Sequence, residues 1–128
     1  MPGDRLELKF WGTRGSLPTA SPECSEFGGC TMCVELRYRD KVILFDAGSG
    51  LPIAGKHLWA EGKRDFHLFF THGHYDHIMG LPFFLPVYKP EARLTLWSGH
   101  REPGLTTAGM VADFMREPFF PVGPEAFK

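Results

Sequence analysis

Residues 71–77 read THGHYDH, and this stretch says more than any other about the fold and function of the chain. Three of the six histidines of the chain, His72, His74 and His77, fall within it, and a carboxylate, Asp76, precedes the last of them. Imidazole and carboxylate are the ligands that borderline divalent metals such as zinc take in proteins. In a bent loop, side chains two residues apart can turn toward one centre, and an adjacent Asp-His pair can reach a neighbouring centre. The pattern His-x-His-x-Asp-His therefore predicts the first half of a two-metal site.

The flanking residues place this motif in a loop. Residues 65–70 form a short apolar run, DFHLFF, that predicts a buried strand. Residues 78–81 predict the opening of a short helix, which Pro82 and Pro86 constrain. A loop at the carboxyl end of a buried strand is a common place for chemistry, because the sheet holds the ligands while the loop exposes them. Surface-loop histidines without a metal are the alternative, but they explain so dense a cluster poorly.

The rest of the chain predicts a scaffold of strands and short helices. Leu6, Leu8 and Phe10 alternate with charged residues, which predicts a strand at about 5–11 with one face buried. Residues 12–30 are rich in Gly, Pro and Ser and predict a long loop. The other predicted elements are a hairpin of strands 32–38 and 42–45 with a turn near Arg39 and Asp40, a helix at 52–60, a strand at 93–97 and a helix at 106–116.

With these segments in place, the chain resembles the metallo-β-lactamase-fold hydrolases from about Leu6 to Val122. It looks most like their phosphodiesterase-type branch, which includes the tRNA 3′-end processing ribonucleases and the cyclic phosphodiesterases of phosphonate breakdown. The resemblance implies an α/β (α+β) fold, the amino-terminal half of an αββα sandwich, with a mostly antiparallel or mixed sheet and flanking helices. The segments that carry it are FWGTRGSLP at 10–18, FGG at 27–29, VILFDAGSG at 42–50, the motif at 71–77 and IMGLPFF at 78–84.

The resemblance also implies a role for each motif residue. His72 and His74 would bind a first metal ion, and Asp76 and His77 a second. Asp76 would in addition orient the nucleophile, which makes it the expected catalytic residue. Asp46, at the end of a strand, would lie behind the ligands and brace their loop, although Asp-Ala-Gly-Ser-Gly is equally compatible with a plain turn. The implied cofactor is zinc, two ions per complete site, with manganese or iron as alternatives.

Part of the implied metal site has no counterpart in the chain. A complete site needs a third histidine on the first metal, a bridging aspartate and a last histidine on the second metal, all well downstream of the motif. After His77 the chain has one histidine, His100, which matches no family ligand, and one aspartate, Asp113. Residues 1–128 therefore predict one truncated domain, because a full αββα sandwich needs roughly twice this length to cover two sheets.

Half of such a sandwich would leave an apolar sheet face open, which is an association liability. We expect either a truncated polypeptide or a homo-oligomer that completes the fold.

Charge and apolar patterning limit the kinds of partner and the location that the sequence supports. The net charge is −1 and the basic residues are scattered, so charge does not support a nucleic-acid partner. The first residues lack the apolar core of a secretory signal, and no apolar run approaches the length of a membrane span. These patterns predict a cytoplasmic location without a membrane partner.

Two further features have both a functional and a structural interpretation. Cys24, Cys30 and Cys33 have metal-clip or redox spacing, but no fourth cysteine exists, and reduced, partly buried thiols are the better interpretation. Arg14 lies in a glycine-rich loop, where it either meets an anionic substrate or, as we favour, orders the loop through a salt bridge.

The function predicted from the sequence is that of a metal-dependent hydrolase, with a small-molecule or phosphodiester substrate. Two zinc ions can make a hydroxide available near neutral pH for attack on a phosphorus or carbonyl centre. Three alternatives stay open: a non-catalytic truncated chain that lacks the downstream ligands, a redox or oxygen-handling protein, and a hydrolase of ester, lactone or thioester bonds.

Overall fold

The computed structural model describes residues 4–99 and 103–128, and these form a five-stranded sheet with three helices. The α/β class and the mixed sheet with flanking helices predicted from the sequence are confirmed. In chain order the elements are β1 (Leu6–Gly12), β2 (Cys33–Tyr38), β3 (Lys41–Phe45), α1 (Leu51–Ala60), β4 (Asp65–Phe70), α2 (Tyr75–Ile78), β5 (Arg93–Ser98) and α3 (Thr107–Phe114), with short 3₁₀ turns at Pro22–Cys24, Leu81–Phe83, Leu85–Tyr88 and Pro124–Ala126.

The strands lie in the order β1-β2-β3-β4-β5, which is also their order in the chain. The first two pairings are antiparallel and the last two are parallel. Arg39 makes the tight β2–β3 turn with a positive φ of 55°. A parallel neighbour needs a crossover, and α1 supplies it between β3 and β4. As a result β3, β4 and β5 all end at the same edge of the sheet.

One face of the sheet is covered and holds the core. Leu44 and Leu68 are paired across β3 and β4, and both are fully buried. Phe66 on the same face of β4 packs edge-on against Phe84, with ring centroids 5.3 Å apart. The helices contribute buried residues to this single cluster, among them Leu51, Ala54 and Leu58 of α1 and Val111 of α3.

The opposite face of the sheet is open, which corrects one sequence prediction. β1 was expected to bury the face formed by Leu6, Leu8 and Phe10, but these residues are 62%, 59% and 59% exposed. The alternation of the strand is correct, yet nothing in the described chain packs on its apolar side. Phe10 begins an apolar row that crosses all five strands, since paired residues of a sheet share a face. The row continues through Val34, Phe45, Phe69 and Trp97.

We expect the 128-residue chain to self-associate through this open face. Aromatic rings already stack along it, with Phe45 and Phe69 centroids 5.8 Å apart and Phe69 and Trp97 centroids 5.6 Å apart. An exposed apolar surface of this kind promotes association. Sedimentation velocity should show dimers or larger species that Phe10→Glu shifts toward monomer. Leu17→Glu is the matched control, because Leu17 is also exposed but lies outside the strands. A compact wild-type monomer over a wide concentration range would contradict the expectation.

The helices near the motif differ in detail from the prediction. The expected helix at 78–81 is instead α2, which begins inside the motif at Tyr75 and ends at Ile78, and 3₁₀ turns follow it. The early start follows from His74, whose extended backbone makes it the N-cap. The helix predicted at 106–116 is observed at Thr107–Phe114, with the Thr106 hydroxyl capping Gly109 N–H. In the parts of the chain that the structure describes, no helix is long and apolar enough to cross a membrane.

Candidate metal centre

The candidate site lies where β3 and β4 end side by side. Since the two strands are parallel, Asp46 after β3 lies beside Thr71 after β4. Asp46 N–H donates to Phe69 O at 2.8 Å, and its Oδ1 accepts from Thr71 N–H at 2.8 Å. Asp46 has a positive φ of 63°, a conformation that Asp adopts more readily than most residues. The left-handed turn points its carboxylate at the base of the motif loop.

Two backbone hydrogen bonds, here called the α2–β3 backbone pair, fix α2 against the end of β3. Ala47 N–H donates to His77 O and Gly80 N–H donates to Ala47 O, both at 2.7 Å. Gly80 also packs directly on Gly48, where a β-carbon on Gly80 would lie 2.0 Å from Gly48 O. The side chains of α2 are therefore held at a set distance from Asp46.

All four predicted ligand residues come together in this arrangement. The His72 ring lies 4.5 Å from the His74 ring and 4.1 Å from the His77 ring, centroid to centroid. Asp76 Oδ2 lies 3.4 Å from His77 Nε2. His100 lies outside the described residues. Asp113, on α3, lines a groove beside Tyr75 and is not part of the imidazole cluster.

Asp46 lies behind these ligands, in the position expected for a brace. It is 2% exposed, and its Oδ2 lies 2.7 Å from Thr71 Oγ1 and 2.9 Å from His77 Nδ1. The contact with His77 is close in distance but poorly aligned, so His77 Nδ1 is a buried polar atom without a well-formed hydrogen bond.

The long loop before β2 reaches over the motif, and sequence reasoning missed the contact it makes. Ser16 N–H donates to Asp76 Oδ2 at 2.9 Å, from a backbone with a φ of 64°. This hydrogen bond is the main reason that the pKa of Asp76 is lowered, with His77 and His72 adding to it. Ser16 follows Gly15, and Gly-Ser in a loop is the only signal that the sequence offered.

The histidines influence one another. Desolvation lowers the pKa of His72 below 6.5, and the neighbouring His77 and His74 lower it further. A ring with a lowered pKa is neutral at pH 7 and so has a free nitrogen lone pair, which is the form that binds a metal.

The two ambiguous sequence features have structural roles. Arg14 orders its loop through hydrogen bonds: Nε donates to Leu17 O at 2.7 Å, and Nη1 lies 3.3 Å from Cys24 Sγ. The expected salt bridge is not found among the described residues. Cys24, Cys30 and Cys33 are free thiols, and burial raises the pKa of Cys33 to about 12. Cys24 and Cys30 are half-buried, and Cys33 is fully buried.

The family model described as the metallo-beta-lactamase superfamily matches residues 29–94, slightly more than half of the chain. The chain belongs to the metallo-β-lactamase superfamily. The match includes β2 to β4, Asp46 and the whole motif, which are the parts that build the candidate site.

Comparison with individual members supports the phosphodiesterase-like resemblance at a distance. The chain is 35% identical over 80 residues to Ribonuclease Z of Staphylococcus carnosus and 34% identical over 77 residues to Ribonuclease Z of Thermococcus kodakarensis, in each case over 60% of this chain. These matches cover 24% and 22% of the two relatives, so the chain spans about a quarter of their length. The crystal structure of a diphosphatase from the PhnP family superimposes with a TM-score of 0.52 at 26% identity, covering 75% of this chain and 42% of that one.

Members of this superfamily are typically metal-dependent, and the donor set here fits a metal only in part. Two donors that bind one tetrahedral zinc at about 2.0–2.1 Å lie about 3.4 Å apart, which is the separation of Asp76 Oδ2 and His77 Nε2. Within residues 4–99 and 103–128, however, no three His, Cys, Asp or Glu side chains surround a common point closely enough to hold a metal ion. The chain supplies convergent pairs of ligands of the right chemistry.

Proposed function

We propose that the chain carries the amino-terminal part of the metal centre of a hydrolase that acts on phosphodiester bonds. The observation that carries the proposal is that three neighbouring imidazoles and the Asp76 carboxylate lie side by side in front of the buried Asp46, close in pairs. The phosphodiester substrate rests on the similar proteins, which include Ribonuclease Z and a diphosphatase of the PhnP family.

In this proposal, His72 and His74 hold a first metal ion, and Asp76 and His77 hold a second. Zinc fits these nitrogen and oxygen ligands, and manganese or iron are alternatives. Bound there, such ions would supply Lewis-acid chemistry: they would lower the pKa of a nearby water toward neutrality and would stabilise negative charge on the reacting group.

The chain itself contributes orientation and charge. Asp76, the proposed catalytic residue, accepts a hydrogen bond from the attacking water and so orients it. The Ser16 N–H that lowers its pKa keeps this carboxylate ionised and able to accept. Asp46 lies 2.9 Å from His77 Nδ1 and, through Thr71, holds the start of the motif loop.

A non-catalytic chain is the second candidate, and a specific observation favours it. No three donors in the described residues gather around one point, so these residues offer a metal ion fewer ligands than the four of a typical zinc site. The open apolar face of the sheet also fits this candidate. We propose that residues 1–128 form a single incomplete domain whose open sheet face is covered by a second copy.

Metal binding and turnover test the two candidates. Equilibrium dialysis with zinc should load the wild-type chain, and His74→Ala should lower the bound zinc at a fixed concentration. His67→Ala is the matched control, because His67 lies within β4 and accepts from Trp97 Nε1. Hydrolysis of bis-p-nitrophenyl phosphate with zinc or manganese above the rate of free metal would support the hydrolase. Zinc below one ion per chain together with no turnover would establish the non-catalytic alternative.

A further inference from the structure

Thr71 lies between the buried carboxylate and a proposed metal ligand. Its Oγ1 is 2.7 Å from Asp46 Oδ2 and 3.0 Å from His72 Nδ1. Its backbone N–H donates to Asp46 Oδ1 at 2.8 Å, so Thr71 meets both oxygens of the same carboxylate. This two-point contact leaves the hydroxyl little freedom to turn away.

The direction of the hydrogen bonds follows from the number of protons available. An ionised carboxylate can only accept, whereas a hydroxyl has one proton to donate and lone pairs that accept. At 2.7 Å from Asp46 Oδ2, the Thr71 proton must point at the carboxylate, because two oxygens that both present lone pairs would repel each other. Thr71 Oγ1 then faces His72 Nδ1 as an acceptor, and that nitrogen must carry the ring proton.

We propose that Thr71 is a positioning residue that sets the tautomer of His72, because its hydroxyl donates to Asp46 and is left to accept from the N–H of His72 Nδ1. A neutral ring protonated on Nδ1 keeps its Nε2 lone pair free, which is the form that a metal binds. The value of this tautomer for metal binding rests on the proposed function, whereas the tautomer itself does not.

Through the Thr71 hydroxyl, Asp46 becomes the common partner of two imidazoles. Asp46 Oδ2 faces His77 Nδ1 directly at 2.9 Å and reaches His72 through the Thr71 hydroxyl. His72 and His77 belong to different proposed metal ions. A single buried carboxylate would therefore orient one ligand of each.

The decisive measurement is the His72 tautomer in the metal-free 128-residue chain. Long-range ¹H–¹⁵N correlation on histidine-labelled protein at pH 8 distinguishes the two ring nitrogens, and the signal lost in His72→Gln assigns the residue. We expect Nδ1 of wild-type His72 to carry the proton. Thr71→Ser, which keeps the hydroxyl, should retain this tautomer, and Thr71→Val, which has a similar shape without the hydroxyl, should lose it. An Nε2-protonated wild-type ring, or an unchanged tautomer in folded Thr71→Val, overturns the proposal.

Zinc affinity provides a second readout. Loss of a group that orients a metal ligand typically weakens metal binding about 10–100-fold, and we expect this range for Thr71→Val, with Thr71→Ser close to wild type. If the wild-type chain binds no zinc, the proposed function fails, while the tautomer measurement still decides the role of Thr71. If Thr71→Val does not fold, the tautomers of wild type and Thr71→Ser decide it.

Discussion

Gly80→Ala is expected to destabilise the chain by about 3 kcal/mol, because the new β-carbon would overlap backbone atoms that cannot move aside. An ideal β-carbon at Gly80 lies 2.0 Å from Gly48 O and 3.0 Å from Ala47 O. The φ of −84° at Gly80 is open to alanine, so the cost comes from the contact and not from the backbone conformation. Relief requires α2 to move away from β3, which would separate His77 from Asp46 and disturb the candidate site along with the fold.

Urea unfolding measures the loss of stability. Gly99→Ala is the matched control, because a β-carbon at Gly99 would have no neighbour within 4 Å among residues 4–99 and 103–128. The control should unfold at the wild-type urea concentration, and Gly80→Ala well below it. Equal midpoints for the two variants would show that α2 can shift without loss of stability. The close packing of Gly80 on Gly48 would then not be what positions the candidate ligands.

Arg37→Met is expected to cost a similar amount, about 3 kcal/mol, because it leaves a buried carboxylate without its cation. Glu35 is fully buried on the covered face of β2. It accepts from Trp11 Nε1 at 2.7 Å and from Arg37 Nε, and the Arg37 guanidinium also pairs with Glu61 at 2.7 Å. The Arg37 side chain is 25% exposed and Trp11 remains, which places the cost at the low end of that for broken buried pairs.

Arg39→Met provides the matched control for this prediction, since it removes the same group from an exposed ion pair. Arg39 and Asp4 lie 2.8 Å apart with side chains 60% and 56% exposed. Exposed pairs of this type contribute at most about 1 kcal/mol. Thermal or urea unfolding should therefore separate the two arginine variants clearly, and matching stabilities would mean that Glu35 is accommodated without Arg37. Marginal total stabilities of about 5–15 kcal/mol make a loss of 3 kcal/mol easy to detect.

The local pattern of the sequence was a good guide to the elements and to the ligand residues. The apolar run at 65–70 became β4, the hairpin turn fell at Arg39, and His72, His74, Asp76 and His77 lie together because they are close neighbours in one loop. Information of this kind is local, so periodicity and spacing carry it.

The contacts around the ligands came only from the tertiary structure. Ser16 meets Asp76 across 60 positions of the chain, and Thr71 meets Asp46 across 25. No spacing rule reports such pairs, because they depend on how β3 and β4 align and on where the long loop folds back. The prediction that β1 buries one face was wrong for the same reason. Alternation shows which residues share a face but not whether anything covers that face.

By itself, then, the sequence predicted candidate metal ligands and the strand that precedes them. The tertiary structure decided how those side chains are held and which sheet face stays open. The physical reason is the separation of the interacting residues along the chain. Ligand chemistry and strand periodicity depend on adjacent residues, whereas hydrogen-bond partners and burial depend on packing between distant segments.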